Sequence, residues 1–240
     1  PTQLLLVAAV AVCLGLQANS AMATVVFQTD FESGAPPEIG GGGGIFDPAT
    51  RAGGAGSYTD YGFGNGFWRN DLLPAVVTTV TIDSLPPHTS LDIHFDLALI
   101  ESWDGVNGLA SGEEEFRVLV DGVQIFTTEF SNAAFGGGPG SADQTYNPPT
   151  GGLVVDPAAI SAGPYLPDSA YNLGVDPAFQ LVPHTASSVI IEFIADGPGW
   201  QGGENESWAI DNMIVSAVPE PSGLCLMALA GLMFLRRSMA

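Results

Sequence analysis

Apolar and polar residues alternate along this chain in short runs, and the period is two. Residues 91–100, LDIHFDLALI, place Leu91, Ile93, Phe95, Leu97 and Leu99 on one face and Asp92, His94 and Asp96 on the other. That pattern predicts a half-buried antiparallel strand. Residues 76–82, VVTTVTI, are rich in β-branched side chains, which suit a pleated surface. Residues 116–120 and 123–130 flank Asp121-Gly122, the signature of a type I′ hairpin turn. Residues 24–27 predict a first strand. Residues 188–195 predict another, with Val189, Ile191 and Phe193 on one face. Residues 208–215, WAIDNMIV, predict the last, with Trp208, Ile210, Asn212 and Ile214 together.

No helical period extends beyond a turn or two, and Gly and Pro punctuate the chain throughout. Strands separated by turns predict an all-β fold, a jelly-roll β-sandwich with its first and last strands side by side. Three stretches read as long loops: 40–61, 105–115 and 135–171. The last exceeds 30 residues, long for a compact domain, and so is expected to be functional or mobile. The Gly runs lack the following Lys and the strand-to-helix setting of a phosphate-binding loop.

The two ends break the pattern. Residues 4–16 are a 13-residue apolar run, followed by Ala21-Met22-Ala23. Small residues at Ala21 and Ala23 suit signal peptidase, so residues 1–23 read as a secretory signal cleaved before Thr24. The basic start of such a signal is missing, which implies residues ahead of Pro1. Cys13 follows Val12, where a lipoprotein signal wants a small residue, and reads as filler. At the other end, Pro219-Glu220-Pro221 precedes the apolar segment 223–235 and then Arg236-Arg237. Positive charge flanking an apolar segment stays in the cytoplasm.

Residues 218–222, VPEPS, together with Arg236 and Arg237, resemble the PEP-CTERM sorting signal of Gram-negative bacteria. The resemblance covers under a tenth of the chain. It implies transient insertion of residues 218–240 in the inner membrane and processing near Pro219-Glu220-Pro221 by an exosortase-type protease. The destination it implies is the outer cell surface or the extracellular matrix. An apolar segment this short suits a transient span better than a permanent one.

Between the ends lies one domain, 24–217, large enough to bury a core. Both Cys residues fall in the apolar ends, so no disulfide holds the domain. The chain carries 26 Asp plus Glu against five Arg and no Lys, a formal net charge of −21. Such a charge repels phosphate backbones and excludes nucleic acid as a partner. The patterned apolar runs argue against disorder. Two uses of the charge remain open, solubility by self-repulsion and occupancy of carboxylates by divalent cations.

Candidate chemistry starts where the first and last strands would meet. Asp30 and Glu32 lie near one end of the domain, Asp211 and Asn212 near the other, and together they offer the hard oxygens that Ca²⁺ requires. Solvated turn acids, with Asp211 as a cap, are the alternative. The Asp-Phe-Glu step at 30–32 and the Ile-Asp-Asn step at 210–212 are similar to the chain ends of carbohydrate-binding and MAM-like jelly rolls. That resemblance implies a structural calcium at Asp30, Glu32, Asp211 and Asn212. Glu-Ser-Trp occurs twice, at 101–103 and 206–208. Trp103, Asp104 and Trp68 read either as a sugar contact, ring on pyranose and carboxylate on hydroxyl, or as core plugs. The stretches 62–70, 85–105, 113–132 and 206–212 are similar to a β-sandwich module of other secreted bacterial proteins with this tail, which implies no activity.

Catalysis finds no support in the residues. No Gly-x-Ser-x-Gly elbow occurs, the three His are dispersed, and Glu113-Glu114-Glu115 lacks the alternation that would aim acids into one cleft. Zinc is disfavoured for want of Cys and clustered His. The expected role is therefore a non-catalytic envelope or matrix protein associated with exopolysaccharide. A secreted glycan-active hydrolase and a purely structural surface protein are the alternatives.

Overall fold

The computed structural model describes residues 22–47, 58–107, 114–132, 141–160 and 167–220, without the side chains of 157–160. Ala21, Pro221, Arg236 and Arg237, with most of both apolar ends, lie outside the described residues. Among the described residues, no helix is long and apolar enough to cross a membrane.

Among the described residues, thirteen strands follow one another: β1 Thr24–Thr29, β2 Ile39–Gly41, β3 Gly44–Phe46, β4 Phe67–Asn70, β5 Thr78–Asp83, β6 Ser90–Glu101, β7 Glu115–Val120, β8 Val123–Thr128, β9 Leu153–Ile160, β10 Asp168–Asn172, β11 Val182–Pro183, β12 Ser188–Asp196 and β13 Glu206–Val218. They form two antiparallel sheets. One runs β3-β4-β13-β6-β10-β9, with β1 also on β13 and β11 also on β6; the other runs β2-β5-β12-β7-β8. The first and last strands do pair, from Thr24 opposite Ala217 to Thr29 opposite Met213.

The core lies between the sheets. Leu91, Ile93, Phe95, Leu97 and Leu99 of β6 all face it, as their alternation requires. Phe95 meets Phe193 of β12 edge-on at 5.1 Å between centroids, and Phe116 of β7 meets Trp208 of β13 at 5.3 Å. Each buried side chain of this size contributes about 1.5–3 kcal/mol. The second half of β6 is buried on both faces. Ala98 and Ile100 pack outward against Tyr58, Phe63 and Phe67, under the 3₁₀ turn Tyr58–Tyr61. Asp121 and Gly122 join β7 to β8 with φ of 51° and 74°, the two positive values of a type I′ turn.

Two expectations are corrected. The stretch 135–171 contains the paired strands β9 and β10 rather than a loop alone, and 40–61 contains β3. In β13 the inward face is Trp208 and Ile210, then Met213, Val215 and Ala217. The register against β6 shifts between Asp211 and Ile214, and Asn212 sits at φ 49°. This bulge exchanges the faces of the strand, so Asn212 and Ile214 leave the inward row.

Candidate metal centre

Pairing of β1 with β13 carries the acids at the two chain ends to one region, where a single loop, 62–66, separates them. Asp30 is exposed and accepts from the Glu32 backbone N–H at 3.2 Å. Glu32 accepts from the backbone and side-chain amides of Asn65 and from Gly66 N–H. Those hydrogen bonds, the Asn65 side chain first, lower the Glu32 pKa. A Cβ on Gly64 would stand 1.8 Å from Glu32 Oε1, so a larger residue there would push the Glu32 carboxylate out of its present place.

Asp211 is fully buried and accepts from Gly64 N–H at 3.3 Å and Asn212 N–H at 2.7 Å. Burial pushes its carboxyl up to about 7, repulsion from Asp96 and Glu32 adds to the rise, and the two backbone hydrogen bonds oppose it. Asn212 donates its side-chain amide to Asp96 at 2.9 Å and to Gly62 O at 3.1 Å. The four residues expected to hold calcium thus share a neighbourhood, but their side chains bond to backbone groups and to the side chains of Asn65 and Asp96.

A tighter constellation lies at the start of β13. Both Glu-Ser-Trp stretches come to the same end of adjacent strands, with Glu206 opposite Glu101 and Trp208 opposite Leu99. Glu101 turns the chain at φ 67°. Ser102 then ties to Asn205 through its backbone N–H, at 2.9 Å, and its hydroxyl, at 2.6 Å to Asn205 Oδ1. Trp103 inserts into the core and donates Nε1–H to Ser207 O at 2.9 Å. These contacts place Asp104 beside Glu206. Glu114, just ahead of β7, completes the group by accepting from the Asp104 backbone N–H at 2.8 Å.

One carboxylate oxygen each from Asp104, Glu114 and Glu206 lie within 4.8 Å of one another. Among the described residues this is the one group of three potential ligands so closely gathered. Glu114 and Glu206 are fully buried and Asp104 is half-buried. Trp103 and Trp200, 5.7 Å apart, pack in the adjoining core. Burial, then the charge of Glu206, pushes Glu114 up to about 8. Burial, with the charge of Asp104, pushes Glu206 up to about 7. Burial raises Asp104 as well. Two such charges at this separation repel by about 3.5 kcal/mol even at an effective dielectric of ~20. The group must hold protons or a cation.

Glu206 and Asp104 stand in the sequence beside tryptophans. The repeated Glu-Ser-Trp could have signalled that two strand ends coincide, but its flanking residues do not repeat. Glu114 had no such signal, because its burial depends on contacts with Asp104 and Glu206 rather than on the Glu113-Glu114-Glu115 pattern. The sugar-platform reading of the tryptophans is corrected. Trp103 is 0% exposed. Trp68 is 7% exposed, and its Nε1–H points at Gly42 O and Thr78 Oγ1. Neither ring has a free face.

No family model and no curated protein matches the chain. Among solved structures, the carbohydrate-binding module TmCBM61 in complex with β-1,4-galactotriose aligns with 78% of this chain and 93% of its own. Its identity is 10% and its TM-score 0.36. The enzymatically active domain of bacteriophage CBA120 tailspike protein 4 aligns with 78% of this chain, at 14% identity and a TM-score of 0.31. The matched part is 20% of that chain. Both likenesses are too slight to assign a ligand or an activity.

Proposed function

We propose that this chain is an exported, non-catalytic jelly-roll protein of the cell envelope or extracellular matrix, associated with exopolysaccharide and sorted by an exosortase-type protease. The observation that carries this reading is the end of strand β13 directly ahead of the motif. Strand β13 is paired through Val218, whose carbonyl accepts from Thr89 N–H at 2.9 Å, and Pro219-Glu220 follows at once with Glu220 exposed. A processing motif directly off a central strand is accessible to a protease and leaves the fold whole when cut. The acidic, Lys-free composition suits a matrix protein kept apart from its copies by charge.

For the polysaccharide, the outer face of the second sheet offers a shallow depression of about 420 Å³ between β2 and β5. Glu38, Thr79, Thr81 and Asp83 line it together with Pro37 and Gly40. Hydroxyl and carboxylate groups without a cation suit a neutral glycan bound through its hydroxyls. With the tryptophans buried, affinity per sugar is low and retention depends on many copies along one polymer. Hydrolysis is less well supported. Glu114 has the raised pKa of a general acid, but it and Glu206 are sealed from any glycosidic bond.

The test is a glycan array and an exopolysaccharide pull-down with the full chain and with Thr81→Arg, together with a reducing-end assay. Saturable binding that Thr81→Arg weakens, without release of reducing ends, is expected. Release of reducing ends would replace this reading with the hydrolase. Failure to bind any glycan would leave a purely structural surface protein.

A further inference from the structure

We infer that Asp104, Glu114 and Glu206 form a site for a divalent cation of calcium size, where the connection between β6 and β7 meets the start of β13. Converging acids alone would not carry this; the unmatched oxygens do. Glu114 spends Oε2 on Asp104 N–H and Glu206 spends Oε2 on Gln201 N–H, at 2.6 Å. The Oε1 atom of each is buried with no amide or hydroxyl donor assigned to it among the described residues; without a cation, the two neighbouring carboxyls can only share a proton between them. Both side chains are 0% exposed. A carboxylate oxygen in an apolar wall without a donor is the kind of group that native structures resolve with an ion.

Among the described residues, both arginines are occupied elsewhere. Arg69 donates to Ser207 Oγ and Gly203 O and lies 3.6 Å from Asp71. Arg117 pairs with Asp196 and Glu115. The donor set selects the metal. Three carboxylates without His or Cys are hard ligands that disfavour zinc and copper. Oxygens bound to one calcium, at ~2.4 Å each from the ion, lie no more than about 4.8 Å apart, and the three carboxylates keep within that limit. Magnesium gives up its water reluctantly and suits a dry three-carboxylate site less well. The ion would join both ends of the β6–β7 connection to β13. This place differs from the Asp30, Glu32, Asp211 and Asn212 set, and it requires neither export nor glycan binding.

Terbium luminescence tests the site, because Trp103 adjoins Asp104 and Trp208 follows Glu206 by two residues. The purified full chain is titrated with Tb³⁺ under tryptophan excitation, then with Ca²⁺ or Mg²⁺ as competitor. Glu114→Gln, Glu206→Gln and Asp211→Asn are compared with the parent. One saturable Tb³⁺ site per chain is expected, displaced by Ca²⁺ and by Mg²⁺ only at far higher concentration. Glu114→Gln and Glu206→Gln should each weaken it by more than the ~10- to 100-fold that losing a supporting residue costs. Asp211→Asn should leave it unchanged. Circular dichroism shows that the Gln variants, which remove only charge, remain folded. Absence of a Tb³⁺ site, or a site lost in Asp211→Asn and kept in Glu114→Gln, overturns the inference. Glycan binding is read separately, so either result leaves the other reading standing.

Discussion

Asp211 shows how a single buried carboxyl ties stability to pH. Its unfolded value is near 3.8 and its folded value about 7. Between these the folded chain keeps a proton that the unfolded chain has released, so stability falls as pH rises through that window. The contribution is complete below pH ~4 and gone above the folded value. Asp211→Asn removes the titration and one of two acceptors, for a loss of about 1 kcal/mol at every pH. The variant should therefore be the less stable protein at pH 5. It should gain on the parent by on the order of 2–4 kcal/mol between pH 5 and pH 8. Urea midpoints at both values in chelator measure this; a difference without slope would mean that Asp211 is ionised in the fold. Trp103 is simpler. Trp103→Ala should destabilise by about 3–5 kcal/mol in urea, as removal of a core ring does. The sequence shows a tryptophan between acids in either case; only the packing of Phe130 and Trp200 against it tells core from sugar platform.

Strand β13 carries the clearest lesson about elements. Its alternation is legible as far as Ile210 and misleads beyond, because Asn212 takes a left-handed conformation that no apolar pattern announces. Asn tolerates φ 49° better than most residues, and its side chain repays the bulge with bonds to Asp96 and Gly62 O. Asn212→Gly should keep the conformation and lose only those bonds, about 1 kcal/mol. Asn212→Ile, the residue a continuous strand would favour, should cost about 1–2 kcal/mol more in backbone strain. Equal melting temperatures for the two variants would show that the bulge imposes no conformational demand. Strands β6, β7, β8 and β12 were legible because each buries one face against the same core. Strands β9 and β10 were not. Pro157 lies inside β9, and the DSAYN of β10 has only Ala170 and Tyr171 to set against three polar residues. Both are admitted by position: β9 is the sheet edge, where a missing N–H is tolerated, and β10 is held between two neighbours.

At the scale of the molecule, β13 sets the acid group and the tail at opposite ends of one 13-residue strand. At 3.2–3.4 Å per residue they stand roughly 40 Å apart. In the proposed sorting, the cation-holding end therefore faces away from the membrane. A bound ion at a hundred times its Kd adds about 2.7 kcal/mol to stability. For a domain of this size that raises the melting temperature by roughly 5–11 °C. Calcium should produce that shift in the parent chain and leave Glu206→Gln unmoved. The other end obeys a different rule. Val218 is the last residue paired to β6, so changes beyond it should not reach the core. Replacing Pro219-Glu220-Pro221 by alanines should leave the melting temperature unchanged while the chain accumulates uncut in the inner membrane. Deleting 213–218 should instead abolish folding, because it removes Met213, Val215 and Ala217 from the core and the partner strand of β1. Fractionation with intact-mass measurement separates the cases. A triple-alanine chain that is cut and exported like the parent would refute sorting by this motif. One that is uncut but also unstable would mean that the motif belongs to the fold and not to the tail.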